Sequence, residues 1–214
     1  NMEFILRRLI LYIFEKLDFE LNEQFRFPLV GVIPIFVNDK SYEEKKIDTN
    51  INFDVDLEEK ENIESKIFLA SIGILENDKF VCLHVRDDVY YNDPKRRLYR
   101  NSNIENYTTL IKYLIENNYY VIRLGLKNKE FNFKDKKFID YSSFPKKKDF
   151  IELYLIKNCS FFVGTQSGPL SIATLFNKPI FFTNAVRIFE SFFPLNNNKN
   201  VTIFKTVKWK KNNK

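Results

Sequence analysis

The chain has 214 residues, 44% of them hydrophobic and 16% aromatic, which argues against a disordered polypeptide and predicts a packed core of one large domain, or one domain with an appendage. Lys and Arg number 34 against 28 Asp and Glu, a formal charge of +6 that suits anionic partners such as nucleotides, nucleic acid or acidic lipid. One histidine, and two cysteines that both fall in apolar runs (Cys82 and Cys159), argue against a structural zinc site or a disulfide framework and fit a reducing, cytoplasmic compartment.

The first legible segment, "FILRRLILYIF" at 4–14, is interrupted by Arg7 and Arg8 and is shorter than the roughly 20 residues that span a bilayer. No small-residue cleavage site follows it. It reads as a core or interfacial amphipathic helix, able to rest peripherally against an inner membrane. The Asn before Met2 is what an excerpt of a longer chain would show. "FPLVGVIPIFVN" (27–38) contains a strand pattern broken by Pro34, and a polar loop follows it. Asp56 and Glu59 have capping-box spacing and predict a helix reaching about Ser71.

From residue 76 the pattern becomes regular. "KFVCLHV" (79–85) is an apolar run with β-branched members, expected of a strand covered on both faces. Ser102 and Glu105 again have capping spacing, and Ile104, Tyr107, Ile111, Leu114 and Ile115 trace one helical face. "YYVIRLG" (119–125) and "KFIDYSS" (137–143) read as further strands, "KDFIELYLIKN" (148–158) as a helix, and "CSFFVGT" (159–165) as a strand. "PLSIATLFN" opens a helix at Pro169, and "KPIFFTN" (178–184) is the last clear strand. Alternation of this kind predicts an α/β, Rossmann-like parallel sheet flanked by helices. The predicted organisation is a partial N-terminal region at 1–75, a Rossmann-like domain at 76–190 and a basic tail at 191–214, whose last ten residues hold five lysines.

Ligands of open α/β sheets bind beyond the carboxyl ends of the strands. Four such ends carry the unusual polar residues: "HVRDDVYYNDPKRRLYRN", "RLG", "DYSS" and "GTQSGP". In the last, Gly164 and Gly168 would let backbone N–H groups approach an anion at a helix start. Thr165 and Ser167 offer hydroxyls, and Ser167 or Gly168 can cap the helix. A plain strand-to-helix corner explains the same residues. Arg86 could clamp a diphosphate through its forked donors, and His84 could bind a phosphate or merely organise the turn. Asp87 is a candidate general base or a partner for Arg86. Asp140 could accept from a ribose or base, or simply form a turn. The long segment 86–101, with Tyr90, Tyr91, Tyr99, Arg96, Arg97 and Arg100, reads as a binding loop or a surface excursion. No metal cluster is legible, and no aromatic-basic interleaving points to nucleic acid.

Taken together, "HVRD…YRNSNIENYTTLIKYLIENNYYVIRLG", "DYSS", "DFIELYLIKNCSFFVGTQSG" and "FNKPIFFTN" resemble a family of bacterial glycosyltransferases related to the fucosyltransferase-like group of the GT-B class. The resemblance covers about residues 76–184. It implies a C-terminal nucleotide-sugar-binding domain, with a nucleoside-diphosphate sugar as donor substrate, a glycan or lipid-linked acceptor, and neither metal nor other cofactor. It implies that Arg86 contacts the donor phosphate and that Gly164, Thr165, Ser167 and Gly168 sit by the diphosphate. It makes Asp140 and Ser142 nucleoside contacts, alongside Arg123 and Gly125 at the second strand end. His84, Arg86 and Asp87 are the candidate catalytic group, and a GDP-sugar is the donor suggested by the fucosyltransferase kinship. GT-B enzymes carry a separate N-terminal Rossmann-like domain for the acceptor, and the front of this sequence reads as too short for it, as expected either of a fragment or of a front reduced to a strand, a loop and helices. Two readings therefore stay open: a glycosyltransferase of surface polysaccharide, or a non-catalytic nucleotide-sugar-binding module derived from one.

Overall fold

The computed structural model describes residues 56–87, 100–126, 130–185 and 200–205. They belong to one compact unit, Phe53–Lys214. The expected helix at 4–14, the strand pattern at 27–38, most of the 86–101 loop and the lysines beyond Lys205 lie outside the described residues.

Six strands form one parallel sheet: β1 (Lys79–His84), β2 (Tyr119–Arg123), β3 (Phe138–Asp140), β4 (Phe161–Gly164), β5 (Ile180–Ala185) and β6 (Val201–Phe204). Their spatial order is β3-β2-β1-β4-β5-β6, so the chain winds outward one way from β1 and then returns to wind the other way from β4. This is the doubly wound Rossmann order, and it places a topological switch point between β1 and β4. Among the described residues four α-helices accompany the sheet: α1 (Glu59–Ser71), α2 (Thr108–Glu116), α3 (Asp149–Asn158) and α4 (Gly168–Leu175).

Side chains alternate across a strand, and the two directions of winding send the helices to opposite faces. On one face Phe80, Cys82, Ile122, Phe162, Ile180 and Phe182 form a core cluster with Ile151 and Leu155 of α3 and Leu170 and Ala173 of α4. On the other, Val81, Leu83, Val121, Phe161, Val163 and Phe181 are buried, and α2 contributes its buried Leu110, Ile111 and Leu114. Five of these strand residues are phenylalanines, each favouring the fold by about 1.5–3 kcal/mol through burial. Helix α1 rests on the α3 side. Its Phe68 ring meets Tyr141 and Phe144 edge-on at 5.3 and 5.6 Å, and Lys148 pairs with Glu64.

Several element ends differ from expectation. The N-cap of α1 is Glu58, whose backbone N–H donates to Glu61 Oε2 (3.1 Å), while Asp56 pairs with Lys157 at 2.7 Å. Asn103, one residue beyond the expected Ser102, opens a 3-10 helix at Ile104–Tyr107 that runs into α2. Pro169 falls at the second position of α4, since the helix starts at Gly168. Residues Tyr141–Ser143, read as the end of a strand, form a 3-10 helix. Val201–Phe204, within the segment read as a basic tail, supplies the sixth strand. It is held by Lys205 N–H donating to the Ala185 carbonyl (2.7 Å) and Ile180 N–H donating to Asn200 Oδ1 (2.8 Å).

Where left-handed backbone is needed, the glycine-poor chain mostly uses asparagine. Asn118 (φ 64°) follows α2, Asn177 (φ 49°) follows α4, and Asn184 (φ 57°) lies near the end of β5.

Candidate functional site

Because the strands are all parallel, the carboxyl ends of β1, β2, β3 and β4 share one edge, as the sequence rule requires. At the switch point His84 and Gly164 are register partners. Beyond them the two turns are stapled: Thr165 N–H donates to the His84 carbonyl (3.1 Å), and Arg86 N–H donates to Thr165 Oγ1 (2.8 Å). Thr165 is fully buried, so its hydroxyl serves this staple. Ser167 is the N-cap of α4; its Oγ accepts from Leu170 N–H (3.4 Å) and donates to the Thr165 carbonyl (3.0 Å).

The two glycines of the turn have different physical reasons. A Cβ at Gly164 would stand 2.6 Å from the Phe162 ring and 2.9 Å from the His84 carbonyl oxygen, so only glycine fits between the strands. At Gly168 a Cβ would meet nothing within 4 Å. Among the described residues the Ser167 and Gly168 backbone N–H groups donate no hydrogen bond, as expected at a helix start. They remain able to receive an anion.

Strand alternation divides the other candidates between the two faces. His84 follows Phe80 and Cys82 onto the α3–α4 face, where its ring packs against Gly125, whose φ of 103° demands glycine. The Gly125 peptide is fixed from both sides: its N–H donates to Glu152 Oε1 (3.2 Å), and its carbonyl accepts from Lys147 Nζ (2.5 Å). Arg123 follows Val121 onto the α2 face, is 4% exposed, and donates to Asp140 Oδ2 (3.1 Å) across their register pair. Asp140 also accepts from Ser142 Oγ (2.5 Å) and Ser143 Oγ (3.0 Å), so Ser142 and Asp140 form one internal network. The structure thus gathers His84, Gly125, Gly164 and the start of α4 on one side, and Arg123 with Asp140 and Ser142 on the other. Arg86 lies between them at the switch point.

Burial and neighbouring charge shift two titratable groups at this edge. Burial of His84, followed by the Arg86 and Arg123 guanidiniums, lowers its imidazole to about 4, so it is neutral at ordinary pH. Its Nδ1 is buried without a hydrogen-bond partner. Glu152 goes the other way: burial raises its carboxyl, partly offset by the Gly125 N–H and Lys147.

Sequence reasoning missed several residues here. Arg86 O accepts from Ser102 N–H (3.0 Å) and Arg86 Nε donates to Asn101 Oδ1 (3.3 Å), closing the neck of the 86–101 loop. Asn184 Nδ2 donates to the Arg100 and Asn101 carbonyls (3.1 and 3.2 Å), anchoring that neck to β5. Thr183 Oγ1 donates to the Gly164 carbonyl (3.3 Å) and lies 2.7 Å from the Tyr107 hydroxyl. The carboxyl-end rule, carried to the fifth strand end "TN", would have found Thr183 and Asn184. Beside this neck, on the α2 face, opens a cleft of about 390 Å³ whose lining includes Asp87, Asn101, Asn106, Arg123, Asn184 and Lys205. Among the described residues no cluster of three or more His, Cys, Asp or Glu is placed to hold a metal ion, and no helix is long and apolar enough to cross a membrane.

No protein-family model matches the chain. No curated protein matches it either. Among solved structures it is similar to E. coli ADP-heptose LPS heptosyltransferase II, with 16% identity and a TM-score of 0.49. The similarity covers 70% of this chain and 44% of that one, so the chain spans less than half of that structure's length. At this distance the likeness carries no function across, and the doubly wound fold is read from the chain's own sheet.

Proposed function

We propose that this domain binds a nucleoside-diphosphate sugar and serves as the donor-binding part of a glycosyltransferase that passes the sugar to a glycan or lipid-linked, cell-surface acceptor. One observation carries the reading. At the switch point the Arg86 backbone N–H donates to Thr165 Oγ1, three residues before the start of α4, and among the described residues the Ser167 and Gly168 amides there donate no hydrogen bond. A diphosphate there would meet a guanidinium and a helix N-terminus together. The family resemblance of residues 76–184 supplies the sugar and the reaction class.

In this reading Arg86 and the turn stabilise charge on the departing diphosphate, which is the main electrostatic demand of glycosyl transfer. His84, neutral and partly buried, positions the turn or donates a hydrogen bond rather than acting as an acid. Asp87 or a carboxylate from elsewhere takes the acceptor proton. The protein works at the cytoplasmic side of a membrane, without a metal, and does not bind nucleic acid.

The test is calorimetric titration of the full chain with a panel of nucleoside diphosphates and their sugars, GDP-sugars included. At least one should bind, and Arg86→Ala should weaken it about tenfold or more, the loss expected for a charge-assisted hydrogen bond. If nothing in the panel binds, the reading fails. Sugar transfer to cell-surface glycan extracts then separates an enzyme from a binding module.

A further inference from the structure

We propose that a bulge near the end of β5 is a positioning device for Arg86. It turns Asn184 toward the neck of the 86–101 loop and, through Asn101, sets the plane of the Arg86 guanidinium. The use of that orientation in ligand binding rests on the diphosphate reading above; the orientation itself does not.

Side chains of a regular strand alternate between the two faces of a sheet. Ile180 and Phe182 lie in the core cluster with α3 and α4, so a regular β5 would send Asn184 there too. The register shifts first. Phe182 pairs with Thr202 and Ala185 with Phe204, so three steps along β5 match two along β6. The additional residue puts Ala185, fully buried, into that cluster in place of Asn184. Asn184 instead lines the cleft on the α2 face, with its backbone in the left-handed region (φ 57°). Asparagine tolerates that region better than other side chains, but at some cost in free energy. Bulges next to active sites re-aim side chains in this way, and a strained residue there points to a task for the side chain it carries.

The task is legible in the hydrogen bonds. Asn184 Nδ2 donates to two successive carbonyls of the neck, Arg100 (3.1 Å) and Asn101 (3.2 Å). Asn101 Oδ1 in turn accepts from Arg86 Nε (3.3 Å). A guanidinium is planar, so a bond at Nε sets the plane in which its other N–H groups lie. That plane decides whether the fork can meet one anion with two parallel bonds. The backbone of Arg86 is held separately, its N–H by Thr165 Oγ1 (2.8 Å) and its carbonyl by Ser102 N–H (3.0 Å). Thr183, the other residue of the bulge, fastens it to β4 by donating from Oγ1 to the Gly164 carbonyl (3.3 Å). Two strand ends and the neck thus converge on one side chain.

The test uses the ¹⁵N-labelled full chain. The Arg86 Nε–H signal is identified by its loss in Arg86→Lys, and its exchange with solvent reports the bond to Asn101. Asn101→Ala removes the acceptor and should speed that exchange about tenfold, whereas Asn101→Asp keeps an acceptor and should restore the slow rate. Asn184→Gly suits the left-handed backbone and Asn184→Asp keeps the side-chain volume, but both lose the amide hydrogens. Both should move the exchange toward the Asn101→Ala rate. Both asparagines are half-buried, and the Asp variants cover the case in which a shorter replacement fails to fold. Affinity for the nucleoside diphosphate that binds best in calorimetry should fall about tenfold in Asn184→Gly.

A merely structural role for Asn184 would lower the melting temperature and leave the Arg86 exchange rate as in wild type. That result overturns the inference, as does wild-type exchange already as fast as in Asn101→Ala. Faster exchange with unchanged nucleotide affinity would overturn the link to binding. If no nucleotide binds, the diphosphate reading fails, and the exchange rates still decide whether the bulge orients Arg86.

Discussion

At the scale of the residue, Gly164 and Thr165 are held by packing and Gly168 is not. Gly164→Ala would press a methyl into the Phe162 ring and, less yieldingly, into the His84 carbonyl. The expected cost is about 1–3 kcal/mol, readable as a lower urea midpoint. Gly168→Ala meets open space and should leave the midpoint unchanged. Thr165→Val keeps the shape but strands the Arg86 N–H, at about 1–3 kcal/mol, whereas Thr165→Ser should retain most of the stability. His84 adds a pH dependence. Its folded value of about 4 lies below the 6.5 of a free imidazole, so the unfolded chain takes up the proton first as pH falls. The stability it contributes is complete above 6.5, declines toward about 4 and is gone below that. Glu152 acts in the opposite sense, because a raised carboxyl contributes stability that is lost as pH rises. Comparing urea midpoints of wild type and His84→Gln between pH 4 and 7 isolates the histidine, and the two curves should converge toward pH 4. Parallel curves would mean that the imidazole is not desolvated.

At the scale of the element, the strands were legible in the sequence because a strand covered on both faces is written as an unbroken apolar run, as in "KFVCLHV". The same property hid which side each residue faces: with no polar alternation to read, the sequence did not show that His84 and Arg123 follow their strands to opposite faces. Helix starts were legible only to within a residue or two. Ser102 and Asn103 are both good caps, and so are Asp56 and Glu58 by position, so tertiary partners such as Lys157 decide between them. β6 was missed because its four residues sit among lysines and asparagines and lie at an edge, only partly buried. Glu152 and Lys147 gave no signal, being charged residues in or beside a helix. One element-level interaction is open to a direct test. Arg123 is nearly inaccessible, so Asp140→Ala would remove the carboxylate that pairs with a buried guanidinium and should cost about 3 kcal/mol in chemical denaturation.

At the scale of the whole molecule, β6 closes one side of the sheet. Cutting the chain before Asn200 would bare the β5 backbone, with Phe181 and Phe182 behind it. An unpaired strand of this kind templates association, so the shortened protein should elute as oligomers in size-exclusion chromatography with light scattering, where the full chain should not. Retention of the full chain's elution position would show that β6 is dispensable to the edge.

The left-handed asparagines have a consequence for the chain before it folds. Glycine gives an unfolded polypeptide more backbone freedom than any other residue, and that freedom is surrendered on folding. With five glycines in 214 residues, and asparagine at Asn118, Asn177 and Asn184 where glycine would be the ordinary choice, the chain starts from a narrower ensemble and has less entropy to lose. Replacing Asn118 or Asn177 by glycine relieves the native backbone but widens that ensemble. The two effects should cancel to within about 0.5 kcal/mol, small enough to leave the melting temperature almost where it was.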